Sequence, residues 1–135
     1  MKVLVIDDEP DIRNIISEAL RRSGFETVTA GNADEAIGRF IVGGVDMITL
    51  DHRMPGMSGA ELHGLLSREF GAGKRTTGFV PKKLPPILIV TATPDDEEVI
   101  RAEFGEGVVG VLPKPFKIDQ LVEIVKDTAG RHGSG

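Results

Sequence analysis

Residues 3–10 read VLVIDDEP: four apolar residues, Val3 to Ile6, and then two aspartates, Asp7 and Asp8. The run does not alternate, so neither of its faces is built for water. A strand of this kind belongs in a parallel sheet covered by helices on both sides. Two more runs share the property, Met47–Leu50 (MITL) and Ile87–Val90 (ILIV). With Phe25–Ala30 and Val108–Leu112 they make five strand candidates, the first reaching back to Lys2.

Between the strands the apolar spacing turns helical. Ile12, Ile15, Ile16, Ala19 and Leu20 form an i, i+3, i+4, i+7, i+8 stripe, which Gly24 closes. Asn32 is placed to cap a second helix, with Glu35 three residues on and Ala36, Ile37, Phe40 and Ile41 facing inward. Ser58 and Glu61 open a third helix, backed by Leu62, Leu65 and Leu66. Thr93 caps a fourth, whose first turn holds Asp95, Asp96, Glu97 and Glu98, where acids suit the helix dipole. Ile118, Leu121, Val122 and Val125 mark a fifth. This alternation predicts an α/β fold: a doubly wound, five-stranded parallel sheet with right-handed crossovers and helices on both faces.

The 135 residues suit one domain, expected over 1–129, with 130–135 a flexible tail. Forty per cent of the chain is apolar, but there are only six Phe and no Trp or Tyr, so the core must be aliphatic. A net charge of −5 argues against direct nucleic-acid binding, which calls for a basic surface. Without cysteine there is no thiol chemistry. No apolar run approaches the ~20 residues of a membrane span, and the first is too short for a signal peptide. A soluble, cytoplasmic domain is expected. One connection is unusual: residues 71–86 hold three Gly and three Pro with neither periodicity, and carry Lys74, Arg75, Lys82 and Lys83.

In an open parallel sheet, ligands bind at the carboxyl ends of the strands. Here those ends carry Asp7 and Asp8, then Asp51, then Thr91, and shortly after the fifth strand Lys114. Carboxylates gathered together repel unless a cation offsets them. Oxygen-only donors favour Mg²⁺ or Mn²⁺, with waters completing the shell. A carboxylate is also a competent nucleophile toward phosphorus, and an ammonium and a hydroxyl stabilise the transferring group. Taken singly, each residue has a plainer reading. Asp7 or Asp8 would be a helix cap, Asp51 a turn residue, Thr91 a strand end and Lys114 a solvated lysine. Their joint arrival at one sheet edge favours the site. His52, His63 and His132 make no metal-ligand spacing, and Met54 and Met57 read as local packing.

Four motifs in order, VLVIDDEPDIR, LDHRMPGMSGAEL, ILIVTA and LPKPF, resemble the response-regulator receiver domain of two-component signalling. The resemblance runs from Lys2 to about Ala129. It implies a flavodoxin-like sheet in the order 2-1-3-4-5 and Mg²⁺-dependent transfer from a histidine kinase, or a phosphotransfer protein, onto Asp51. By the same resemblance Asp8 ligates the metal directly, Asp7 acts through a bound water, and the backbone carbonyl of Arg53 is a further ligand. Thr91 and Lys114 receive the phosphoryl oxygens, and the Lys114–Pro115 bond matches a site that is commonly cis. The implied readout is a change in binding to a downstream protein or output domain, through the face made by the fourth helix, fifth strand and fifth helix. Such a domain catalyses only its own phosphorylation and dephosphorylation.

Two departures stand out. Val111 occupies the position, three before the lysine, where relatives often carry a Tyr or Phe that turns inward. Residues 71–86 fall, by topology, at the amino ends of the strands, and are expected to affect partners more than chemistry. Rival readings are an unphosphorylated pseudo-receiver that only docks, and a haloacid-dehalogenase-like phosphatase. The latter would place its nucleophile after the first strand as Asp-x-Asp.

Overall fold

The computed structural model describes residues 1–52, 85–91, 98, 101–102 and 107–132. Five strands form one sheet: β1 Lys2–Ile6, β2 Glu26–Ala30, β3 Met47–Asp51, β4 Ile87–Thr91 and β5 Val108–Pro113. All four pairings are parallel, in the order β2-β1-β3-β4-β5. The three described helices are α1 Pro10–Arg22, α2 Ala33–Val42 and α3 Ile118–His132; α3 is the helix counted fifth in the sequence. The expected third helix, the caps at Ser58 and Thr93 and the connection over residues 71–84 lie outside the described residues; of the expected fourth helix Glu98, Arg101 and Ala102 are described, and all three are helical.

The core has two layers, one on each side of the sheet. Leu4, Ile6, Ile48, Leu50, Ile87 and Ile89 pack with Ala36 and Phe40 of α2. Val3, Val5, Met47, Leu88, Val90 and Leu112 pack with Ile16 and Leu20 of α1 and Leu121 and Val125 of α3. Each of these Val, Leu, Ile, Met and Phe side chains contributes roughly 1.5–3 kcal/mol by leaving water. The central strands β1, β3 and β4 bury residues of both faces, which is why their sequences do not alternate.

Helix ends follow the sequence signals, with small adjustments. At α1, Gly24 at φ +96° lets Phe25 N donate to Leu20 O and Gly24 N donate to Arg21 O, 3.0 Å each. This is the left-handed turn that glycine tolerates best. At α2, Asn32 Oδ1 accepts from Glu35 N at 2.9 Å. The return bond is displaced by one residue, Glu35 Oε1 accepting from Gly31 N at 2.7 Å. The Lys114–Pro115 peptide is cis.

Two inward assignments are corrected. Ile15 is 51% exposed and Ile41 50%, whereas Ser17 is buried and shares a hydrogen bond with Thr27 at 2.7 Å. The buried arc of α1 is centred on Ile16 and Leu20, and at 100° per residue Ile15 falls off its edge while Ser17 stays within it. Helix α3 runs to His132, into the stretch expected as tail.

Candidate functional site

Parallel registry brings the strand ends together. Ile6 pairs with Leu50, so Asp7 and Asp51 are the next step on neighbouring strands. Asp51 pairs with Val90, and Thr91 with Pro113. Lys114 N then donates to Thr91 O at 2.7 Å, holding the lysine at the same edge. Asp7, Asp51 and Thr91 are all buried, at 1%, 5% and 1% exposure. Asp8 is only half-buried, leaving the cluster a solvent-facing side.

Asp7, Asp8 and Asp51 each present a carboxylate oxygen, and the three lie within 4.8 Å of one another. The ammonium of Lys114 stands among them: 3.1 Å from Asp7 Oδ2, 3.5 Å from Asp51 Oδ2 and 3.5 Å from Glu9 Oε1. Burial works to lower the pKa of this lysine, but the carboxylates of Asp7 and then Asp51, with the Asp7 hydrogen bond and Glu9, outweigh it and raise its pKa. The donor set is all oxygen and strongly anionic, which fits a hard divalent cation such as Mg²⁺. Arg53 lies outside the described residues.

Neither Asp7 nor Asp8 caps α1. Glu9 occupies the N-cap position without a side-chain cap bond, and Pro10 begins the helix, where its missing N–H costs nothing. Asp7 Oδ1 instead accepts from Glu9 N at 2.9 Å, tightening the turn after β1. Alternation along β4 puts Thr91 with Ile87 and Ile89, on the α2 side of the sheet, whereas Asp51 lies with Met47 on the α1–α3 side. Two participants escaped the sequence reading. Glu9 is a third acid on Lys114, and Arg13 Nη1 donates to the backbone carbonyl of Asp7 at 2.8 Å. Both sit inside the VLVIDDEPDIR motif, but nothing in their spacing signals a contact with the site.

A parallel sheet with charged groups converging on its carboxyl edge defines an α/β domain with a polar site at its strand ends. The family model for the response regulator receiver domain matches residues 3–126, and the chain belongs to that family, the phosphoryl-accepting switches of two-component signalling. It is 34% identical over 127 residues to the chemotaxis protein CheY of Pseudomonas aeruginosa, covering 93% of this chain and 94% of that one. It is 32% identical over 133 residues to the phosphate regulon transcriptional regulatory protein PhoB of the same organism, covering 98% of this chain but 53% of PhoB. The chain thus spans about half the length of that regulator. Among solved structures, the receiver domain of the Francisella response regulator 1452 superposes with a TM-score of 0.77 at 28% identity, covering 96% of this chain and 97% of that one. Response regulator TrrA of Thermotoga maritima, solved in complex with Mg²⁺–BeF, gives 0.73 at 32% identity, covering 94% and 97%. Receiver domains bind Mg²⁺ at an acidic pocket of the kind that Asp7, Asp8 and Asp51 form. Neither rival reading, docking module or phosphatase, is favoured by this family membership.

Proposed function

We propose that Asp51 is the phosphoryl acceptor, served by Asp8 and the Arg53 carbonyl as direct Mg²⁺ ligands, with Mn²⁺ an acceptable substitute. Asp7 acts through a metal-bound water, and Thr91 and Lys114 receive the phosphoryl oxygens. The observation that carries this reading is Asp51 itself: a buried carboxylate ending the central strand, inside the acid cluster and 3.5 Å from Lys114. TrrA, similar along its whole length, is described with Mg²⁺ and a fluoroberyllate.

In the reaction an Asp51 carboxylate oxygen attacks phosphorus as the bond from phosphorus to the donor breaks. That donor is a phosphohistidine of a kinase or phosphotransfer protein, and its imidazole leaves with the bonding electrons and is protonated. Mg²⁺, when bound, neutralises charge on the transferring phosphoryl oxygens. Lys114, already charged and close by, needs only to pass from Asp7 to a phosphoryl oxygen. The Thr91 hydroxyl donates to another oxygen once it has crossed from the α2 side. Hydrolysis of the acyl phosphate resets the switch, so the domain turns over only its own phosphoryl group.

The output is a change in protein contacts, in the cytoplasm, on the face expected from the fourth helix of the sequence together with β5 and α3. An acidic unit of this kind contacts protein. NtrC of Salmonella typhimurium is described as a DNA-binding transcriptional regulator, and the match covers 24% of it. A DNA contact of that sort would belong to chain beyond the matched span.

Incubation with acetyl phosphate and Mg²⁺, followed by intact mass, tests the reading. The wild type should gain one phosphoryl group only with the metal present, and Asp51→Asn should gain none. An Asp51→Asn protein that is fully phosphorylated elsewhere would overturn the assignment.

A further inference from the structure

Arg13 stands one turn into α1, and its Nη1 donates to the backbone carbonyl of Asp7 at 2.8 Å. Asp7 is 1% exposed, so this carbonyl is shielded from bulk water. The same residue is held at its other polar groups: Asp7 N donates to Ala30 O at 3.1 Å, and Oδ1 accepts from Glu9 N at 2.9 Å. The arginine therefore ties the fourth corner of the residue on which Lys114 rests.

The β2–α2 turn makes room for it. An ideal Cβ on Gly31 would lie 2.6 Å from Arg13 Nη1, closer than a methyl group is allowed, and a tight 3.3 Å from both Arg13 Cζ and Glu35 Oε1. Gly31 is not among the described glycines at positive φ. What the position requires is the absence of a side chain, and no unusual backbone conformation is involved. Glu35 Oε1 holds the Gly31 N–H at 2.7 Å, which keeps the platform in place.

We infer that Arg13, seated on the bare backbone of Gly31, is a positioning residue that fixes the turn carrying Asp7 and Asp8 so that both carboxylates face Asp51. The inference rests on the reading of that cluster as the Mg²⁺ and phosphoryl site. Arg13 touches no reacting atom; it acts through the Asp7 carbonyl. Because the atom nearest Gly31 is the far end of a flexible side chain, a methyl there displaces the guanidinium at little cost to the fold.

This supplies two independent ways to break one contact. Arg13→Met keeps an apolar stem and removes the donor; Gly31→Ala keeps Arg13 and evicts it. Each, with the double variant, is compared with wild type by Mg²⁺ titration of amide shifts, by phosphorylation from acetyl phosphate at limiting and saturating Mg²⁺, and by thermal melting. Each single variant should weaken Mg²⁺ binding by roughly tenfold, the lower end for loss of an outer-shell partner. Melting temperature should fall only modestly, by what one shielded carbonyl loses with its partner, and saturating Mg²⁺ should restore phosphorylation. The double variant should bind no more weakly than either single, as expected when both changes remove the same contact. Wild-type Mg²⁺ affinity in Arg13→Met, an additive loss in the double, or a loss that merely tracks melting temperature would overturn the inference. If wild type itself neither bound Mg²⁺ nor gained a phosphoryl group, the underlying site reading would fail instead.

Discussion

Lys114 Nζ lies 3.1 Å from Oδ2 of Asp7, a carboxylate buried to 1% exposure and 107 residues away in the chain. In this arrangement the lysine does the work of a counter-ion. It stands closer to Asp7 than to the proposed acceptor Asp51, at 3.5 Å. Like charges gathered at the sheet edge would otherwise oppose folding.

Removing that ammonium should therefore expose the repulsion. Lys114→Met is expected to cost about 2 kcal/mol without metal, below the 3–5 kcal/mol of a fully buried pair because the lysine retains some exposure. Saturating Mg²⁺ should return part of the loss, since a divalent cation offsets the same carboxylates. Urea melts of both proteins with and without Mg²⁺ measure this; a loss indifferent to Mg²⁺ would contradict it.

The pH dependence of that difference has a definite sign. The folded-state pKa of Lys114 is raised, the carboxylates of Asp7 and Asp51 outweighing the opposing burial. Stability from a raised lysine is fully present below its unfolded pKa and is lost as pH rises through the folded one. The wild-type advantage over Lys114→Met should stay level from neutral pH into the lysine range and decline only above it. A decline already complete near pH 8 would rule out Lys114 as its source.

Asp8→Ala should behave in the opposite way. Asp8 is half-buried, carries no hydrogen bond or ion pair among the described residues, and adds charge to the cluster. Its removal should leave the metal-free domain as stable or about 0.5 kcal/mol more stable, a surface-charge magnitude. Mg²⁺ affinity should fall sharply in the same protein. A lower melting temperature without metal would show that Asp8 serves the fold.

Glu9 competes for Lys114 from an exposed position, its Oε1 3.5 Å from the ammonium. Glu9→Gln should speed phosphorylation by acetyl phosphate by about twofold, with stability changed by less than about 0.5 kcal/mol. Slower phosphorylation would assign Glu9 a supporting role.

Thr91 and Val111 divide the expected readout. Thr91 lies on the α2 side of β4, and Val111 packs, partly buried, on the same layer. Val111 is small and stiff at χ1, so it is a poor swinging plug for space that Thr91 vacates. With beryllofluoride, which stands in for the phosphoryl group, NMR should show large shifts at the Thr91 and Lys114 amides and small ones at the Val111 methyls. Dominant Val111 changes would restore a side-chain switch at that position.

The five strands were legible to within a residue, because length, apolarity on both faces and flanking breakers are local properties of the chain. The meeting of Asp7, Asp8, Asp51 and Lys114 was legible too, since parallel strands send all their carboxyl ends to one edge; that Thr91 reaches this edge on the opposite face was not. Helix facing was read less well: the stripe containing Ile15 and Ile41 fits helical spacing, yet only the docked sheet decides which residues at its edge are covered. The pairing of Lys114 with Asp7, the approach of Glu9 and the seat of Arg13 on Gly31 were settled by tertiary structure alone. They depend on distances of a few ångströms between separate elements, and no periodicity within any one element encodes such distances.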